Sequence, residues 1–143
     1  MSRSTRFPAA VHVLSILALK PDGYISSTIL AKSLDTNAVV VRRLLAQLQD
    51  AGFVETQPGV RGGAKLLVDP EAVSLRDVYE AVEETDVFRL HSPQPLCPIA
   101  KVVTRKMTPL MEHAEEQMKS TLAKTRLAEI SVPAARAWRR RSS

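Results

Sequence analysis

Residues 36–63, TNAVVVRRLLAQLQDAGFVETQPGVRGG, constrain the fold of this 143-residue chain more than any other segment. Val41, Leu44, Leu45 and Leu48 fall at i, i+3, i+4 and i+7, so one apolar stripe marks a helix over roughly residues 37–51. Thr36 can cap its start, and Gly52 suits the position just past its end. Two strand-like runs follow, Phe53–Gln57 and Ala64–Asp69, on either side of Pro58-Gly59-Val60-Arg61-Gly62-Gly63. Glycine tolerates positive φ, so the segment reads as a hairpin with a longer loop and Arg61 at its tip.

Two further helices are expected upstream. Residues 7–19 carry Val11, Leu14 and Ala18 on one stripe with Val13, Ile16 and Leu17 beside it, and Pro8 suits a first helical turn. Lys20-Pro21-Asp22-Gly23 has the chemistry of a turn. Ser26 or Ser27 can cap a second helix over roughly 27–34, with Ile29, Leu30 and Leu34 facing inward. Asp35-Thr36 is then the short turn into the third. Helix, short turn, helix and hairpin is the order of a winged helix-turn-helix, which sets its last helix in a DNA major groove with the hairpin beside it. Away from the leucine stripe, the third helix holds Asn37, Val39, Val40, Arg42 and Arg43. Either valine can touch a thymine methyl, Asn37 can read adenine, and an arginine can read guanine or bind phosphate. Arg61 can enter the minor groove or clamp a phosphate. The blander alternatives are a valine packed on the second helix and a solvated loop arginine.

Past Asp69-Pro70, Ser74-Leu75-Arg76-Asp77 has the spacing of a capping box with Asp in place of Glu, and Leu75, Val78, Tyr79 and Val82 give a helical face to about residue 84. Residues 85–97 lack a clean period and contain Pro93 and Pro95. From Pro98 to about residue 129 a long helical pattern carries an apolar stripe of Val103, Met107, Leu110, Met111, Ala114, Met118 and Leu122. Pro109 costs an internal hydrogen bond, so a kink or break is expected at Thr108-Pro109, with Thr108 available as a new cap. Since the wing domain reads as complete without it, this helix is expected to pair with its copy in a second chain. The expected organisation is mainly α with a small β-hairpin wing. It divides into a DNA-binding domain (1–84), a linker or sensor loop (85–97), a dimerisation helix (98–130) and a mobile basic tail (131–143).

Composition fits this picture. Hydrophobic residues make up 45% and aromatics only 4%, which favours an aliphatic, helical core. The formal net charge is +5, pointing to a polyanion partner. Residues 1–70 carry 8 basic and 5 acidic side chains, residues 71–130 carry 8 and 10, and residues 131–143 carry 4 and none. Positive charge therefore gathers on the helix-turn-helix and on the tail, which can add non-specific phosphate attraction. Cys97 is the sole cysteine, so no intramolecular disulfide is possible and a reducing compartment is expected. The first residues imitate a signal peptide, but His12 and Ser15 interrupt the apolar run and no small-x-small site follows. No apolar run approaches the ~20 residues of a membrane span, and a cytoplasmic protein is expected. There is no phosphate loop or nucleophile elbow, and GVRGG precedes no helix, so no enzyme is expected. His12 and His113 are isolated, without metal-ligand spacing.

Nearly the whole chain resembles the Rrf2 family of bacterial winged-helix regulators, which includes IscR, NsrR, CymR and the YwnA type. The carriers are FPAAVHVLSILAL at 7–19, TNAVVVRRLLAQLQDAGFVET at 36–56, GVRGGAKLLVDP at 59–70, SLRDVYEAVE at 74–83 and LCPIAK at 96–101. The wing, with paired Gly62-Gly63 followed by Leu66 and Asp69-Pro70, is the most specific, and TNAVVVRRL and HSPQPLCPIAK look most like the YwnA type. The resemblance implies a homodimer that binds a palindromic operator, mostly as a repressor. Its DNA contacts map onto Thr36, Asn37, Val39, Val40, Arg42, Arg43 and Arg61, with Ser4 and Arg6 touching the backbone. Cluster-binding members have three cysteines between the wing domain and the long helix, whereas this chain has only Cys97, even with His91 nearby. No iron–sulfur cluster is expected.

Two signals remain open. Cys97 precedes Pro98 at the expected N-cap of the long helix, with Lys101 one turn on. Helix dipole and lysine both favour a reactive thiolate, so oxidation, capping or a Cys97–Cys97 bridge can switch the protein. Alternatively Cys97 is structural, and a small ligand sits between wing domain and long helix against Phe88, Leu90, His91 and Leu96. From another class, the winged domain can serve protein–protein contact without an operator.

Overall fold

The computed structural model describes residues 4–84, 87–88 and 90–142. Six helices and one hairpin follow in the order α1 (Arg6–Leu17), α2 (Ser27–Leu34), α3 (Ala38–Asp50), β1 (Val54–Gln57), β2 (Gly63–Leu66), α4 (Leu75–Val82), α5 (Pro98–Ala123) and α6 (Ala128–Ser142). The core is aliphatic. Leu14, Leu17, Leu30, Leu48, Val41, Val54 and Val78 are fully enclosed, with Leu127 arriving from the far end of the chain. Each such leucine or valine contributes about 1.5–3 kcal/mol through removal from water.

The leucine stripe of α3 faces the core as its period requires: Val41, Leu44, Leu45 and Leu48 are all buried. The start of α3 differs by one residue from the sequence reading. Asn37, not Thr36, is the N-cap, and its Oδ1 accepts from the Val40 N–H at 3.0 Å. Asp35 turns the chain between α2 and α3 in the left-handed region at φ 54°, a conformation Asp tolerates through local hydrogen bonding. Ser26 caps α2, accepting from the Ile29 N–H. Ile29 itself, expected inside, is 59% exposed, because the 8-residue α2 buries only Leu30 and Ala31.

β1 and β2 pair antiparallel, with Val54 opposite Leu66 and Gln57 opposite Gly63. The Ile25 and Ala64 backbones exchange two hydrogen bonds at 2.9 Å, which seats the wing on the approach to α2. Only glycine fits this seat: Gly63 has φ 136°, and a Cβ there would come within 2.1 Å of the Ile25 carbonyl oxygen. The capping box of α4 is present in full, with Asp77 N–H donating to Ser74 Oγ and Ser74 N–H to Asp77 Oδ2.

The second half departs most from the sequence reading. α5 runs unbroken through Pro109, and the Thr108 hydroxyl donates back to the Thr104 carbonyl at 2.7 Å instead of capping a new helix. The helix ends at Ala123, short of the expected residue 129. A turn then carries Thr125 to Ala128 beside α4: Leu75 N–H donates to Thr125 O, Leu127 N–H to Val73 O and Ala128 N–H to Pro70 O. Leu127 fills the core with 0% exposure. The winged domain is therefore closed by residues after the long helix, not before it. The expected mobile tail is instead α6, which packs on α1 with Ala128 and Ser131 buried. α5 lies along α4, where Arg76 reaches Glu116 at 3.2 Å and Glu80 at 3.0 Å. Its hydrogen bond to Glu80, with Glu116 adding, raises the Arg76 pKa above the usual arginine value.

Candidate nucleic-acid interface

The exposed side of α3 follows from its buried one. With the leucines inward, Val39 (53% exposed), Val40 (48%), Arg42 and Arg43 point to solvent. Neither valine is needed by the core, so the packing alternative does not describe them. Asn37 is exposed; its carbonyl oxygen accepts the cap bond, and its NH₂ group has both donors free to offer a base. Thr36 is exposed just before the cap.

Arg61 is exposed at the wing tip beside the fully exposed Val60. Gly59 has φ 97° and its carbonyl accepts from the Gly62 N–H at 3.0 Å, which closes the turn. Between α2, α3 and the wing lies an open groove of about 800 Å³, lined among others by Ser26, Arg42, Ala46, Gln49, Gly59 and Gly62. Its walls mix hydroxyls, amides, the Arg42 guanidinium and the Asp50 side chain with Leu45, Ala46, Pro58 and Val60. Gln49 fixes the wing base to α3, since its Oε1 accepts from both the N–H and the hydroxyl of Thr56. Sequence reasoning missed Gln49; its signal was only its i+7 spacing from Arg42 on the exposed side.

Ser4 and Arg6 have partners within the chain. Ser4 Oγ and the Phe7 N–H both donate to Glu83 Oε1, at 2.9 and 3.3 Å, and Arg6 lies 3.5 Å from Glu84. Gln47, also missed, donates to the Val82 carbonyl at 3.3 Å and to Glu84 Oε1 at 2.9 Å. The end of α4 is thus tied to both the start of α1 and the flank of α3.

Cys97 is the N-cap residue of α5, as its place before Pro98 required, and it is partly exposed. Its carbonyl accepts from the Lys101 N–H, and its thiol makes no capping hydrogen bond. Phe88, Leu90, His91 and Leu96 are exposed in the single chain. Among the described residues no three His, Cys, Asp or Glu side chains converge on a metal position. None of α5 is buried: Val103 (38%), Met107 (41%) and Leu110 (64%) are exposed, Ala114 is exposed, and Met111 and Met118 are half-buried. No described helix is long and apolar enough to cross a membrane.

Comparison with known proteins is consistent over nearly the whole length. Residues 3–132 match the family model Rrf2, described as iron-dependent transcriptional regulator. YwnA of Bacillus subtilis (strain 168), named as an HTH-type transcriptional regulator, is 35% identical over 129 residues, 89% of this chain and 95% of YwnA. A crystal structure named as a transcriptional regulator from Lactobacillus plantarum superposes with a TM-score of 0.76 at 25% identity, covering 89% of this chain and 87% of that one. CymR, the global cysteine regulator of B. subtilis, shares the fold with a TM-score of 0.65 at 20% identity, covering 92% and 97%.

Proposed function

Because the chain belongs to the Rrf2 family of transcriptional regulators, we propose that it is a cytoplasmic repressor that binds a palindromic operator as a homodimer. The observation behind this reading is the exposure of Arg42 and Arg43 on α3 and of Arg61 at the wing tip, with Arg42 also lining the α3–wing groove. Among the described residues none of the three is engaged in an ion pair, so all are available to DNA. Val39 and Val40 offer apolar contact for thymine methyls beside them, and Thr36 and Asn37 meet the backbone or a base edge at the helix start. Ser4 and Arg6 join the backbone contacts only by leaving Glu83 and Glu84. The homodimer uses the exposed face of α5 around Val103, Met107 and Leu110, with Met111, Ala114 and Met118 at its margin. A helix with such a face needs a partner to remove it from water.

The iron dependence in the family description does not fit the donor set of this chain. An iron–sulfur cluster takes four ligands, mostly cysteine thiolates. A dimer of this chain brings two thiols, and the described residues add no converging His or carboxylate set. We therefore read the signal as one without a cluster, reaching Cys97 as an oxidant or electrophile, with Lys101 and His91 as its polar surroundings.

The test is selection of DNA fragments from a random pool by the purified protein, followed by binding to the selected site. Arg43→Ala is expected to cost about 1–3 kcal/mol if it reads a base. A triple Arg42→Ala, Arg43→Ala, Arg61→Ala variant that binds as tightly as the wild type would remove this face from the reading. Placing the selected site over a promoter then separates repression from activation.

A further inference from the structure

The wing is held differently along its two strands. Along β2, Ala64 exchanges backbone hydrogen bonds with Ile25 at 2.9 Å, and Lys65 Nζ lies 5.6 Å from the centre of the Tyr24 ring. This strand is therefore fixed on the approach to α2. Along β1, the inner end is held by the buried Val54 and by the Phe53 N–H, which donates to the Leu48 carbonyl at 2.9 Å. Farther out, among the described residues, the hydrogen bonds from β1 to α3 are those of Gln49, whose Oε1 accepts from the Thr56 N–H at 3.2 Å and from the Thr56 hydroxyl.

The pairing of the hairpin accounts for the choice of Thr56. Residues facing each other in an antiparallel pair alternate between hydrogen-bonded and non-hydrogen-bonded positions. Ala64 gives its N–H and its carbonyl to Ile25, so the pair Thr56–Ala64 is a non-hydrogen-bonded one. The Leu67 N–H donating to the Phe53 carbonyl, three steps inward, keeps the same alternation. The Thr56 N–H thus points away from β2, along the outer edge of β1. Water can satisfy an exposed N–H, but only a side chain of α3 ties that edge to the recognition helix. Beyond Thr56 the tip is stiff: the Gly62 N–H donates to the Gly59 carbonyl at 3.0 Å, and a Cβ on Gly62 would come within 2.0 Å of the Gln57 carbonyl oxygen. Arg61 therefore follows the direction of the hairpin as a whole. Three residues of strand span roughly 10 Å, so a small rocking at Thr56 is magnified at the tip.

We propose that Gln49 is a positioning residue for DNA binding: it braces the free edge of β1 against α3 and so sets where Arg61 stands relative to Arg42 and Arg43. The proposal rests on the DNA-binding reading above, with the wing tip on DNA. Without Gln49 the hairpin stays attached along β2 and rocks about that line, and Arg61 no longer meets DNA in step with α3. Both Gln49 and Thr56 are exposed, so the brace contributes little to the stability of the fold itself.

The experiment is a double-mutant cycle on the full chain, read as affinity across a range of salt for a labelled duplex of the site that wild type selects from a random pool. Arg61→Ala should weaken binding about tenfold and make the slope of log K against log salt less negative by about 1. Gln49→Met, which keeps the length of the side chain and removes the acceptor, should weaken binding about threefold to tenfold, with a slope change in the same direction. In the Arg61→Ala background it should cost less than about twofold, because the group it positions is already gone. Thr56→Val, which removes the hydroxyl donor and suits a strand, should give a smaller loss that disappears in the Gln49→Met background. Melting temperatures of all these variants should stay within about 4 °C of wild type. Gln49→Met that binds as tightly as wild type, while Arg61→Ala is weakened, overturns the brace alone. Losses that multiply in the double variant mean that Gln49 acts apart from Arg61, by touching DNA itself or by supporting the fold, and also overturn it. Arg61→Ala that binds like wild type leaves no wing contact to position and overturns it too. Wild type that selects no site removes the DNA-binding reading, and the brace with it.

Discussion

Asn37 shows how one side chain constrains two functions. Its oxygen accepts the α3 cap bond, whose loss costs about 1 kcal/mol, while its NH₂ group keeps both donors for a base. The sequence reading placed the cap at Thr36; the structure moves it one residue on, after the left-handed Asp35. Cys97 is the second residue whose role turns on one atom. The thiol stands at a helix N-terminus without a hydrogen bond that would occupy it. If it is the sensor, peroxide takes two electrons and two protons from a thiol pair and leaves as two waters, giving a disulfide. Wild-type operator affinity is then expected to change at least tenfold with peroxide, while Cys97→Ser stays constant. Equal responses in anisotropy titrations of the two proteins would eliminate Cys97 as the switch.

At the scale of elements, α2, α3 and the α4 capping box were legible because each is determined by local rules: a cap, a period and a stop within about a dozen residues. The second half was not. Pro109 predicted a kink or a break, and α5 is not broken there, since tertiary packing along α4 can offset one lost backbone bond. The tail looked mobile because Arg139, Arg140 and Arg141 dominate its composition. Its anchor is Leu127, an ordinary leucine at the end of a long stripe, and its importance exists only through its burial in the core and its backbone bond to Val73. Leu127→Ala is expected to cost about 2–5 kcal/mol by denaturant unfolding, more than any single change on the exposed face of α5. A loss below 1 kcal/mol would mean that α6 is not part of the cooperative unit.

For the molecule as a whole, α5 carries an apolar stripe that the single chain leaves exposed. Leu110, with Met107 and Val103 on the same side, is exposed in the single chain. Leu110→Asp is expected to convert dimers to monomers in sedimentation, and to weaken binding to a palindromic site far more than to a half-site, because the second half-site contact is then lost. Dimers that persist would move the interface off this face. The network from Ser4 and Arg6 through Glu83 and Glu84 to Gln47 also belongs to this scale, since it joins the end of α4 to α3 across residues distant in sequence. By itself the sequence determined the winged helix-turn-helix, its outward arginines and the single thiol at the start of α5, because periodicity, capping and glycine placement act over a few residues. Only the tertiary structure decided that Leu127 closes the core, that α6 packs on α1, and that Glu83 and Glu84 hold Ser4, Arg6 and Phe7 at the start of α1. Those contacts depend on which surfaces meet, and no local rule of spacing specifies that.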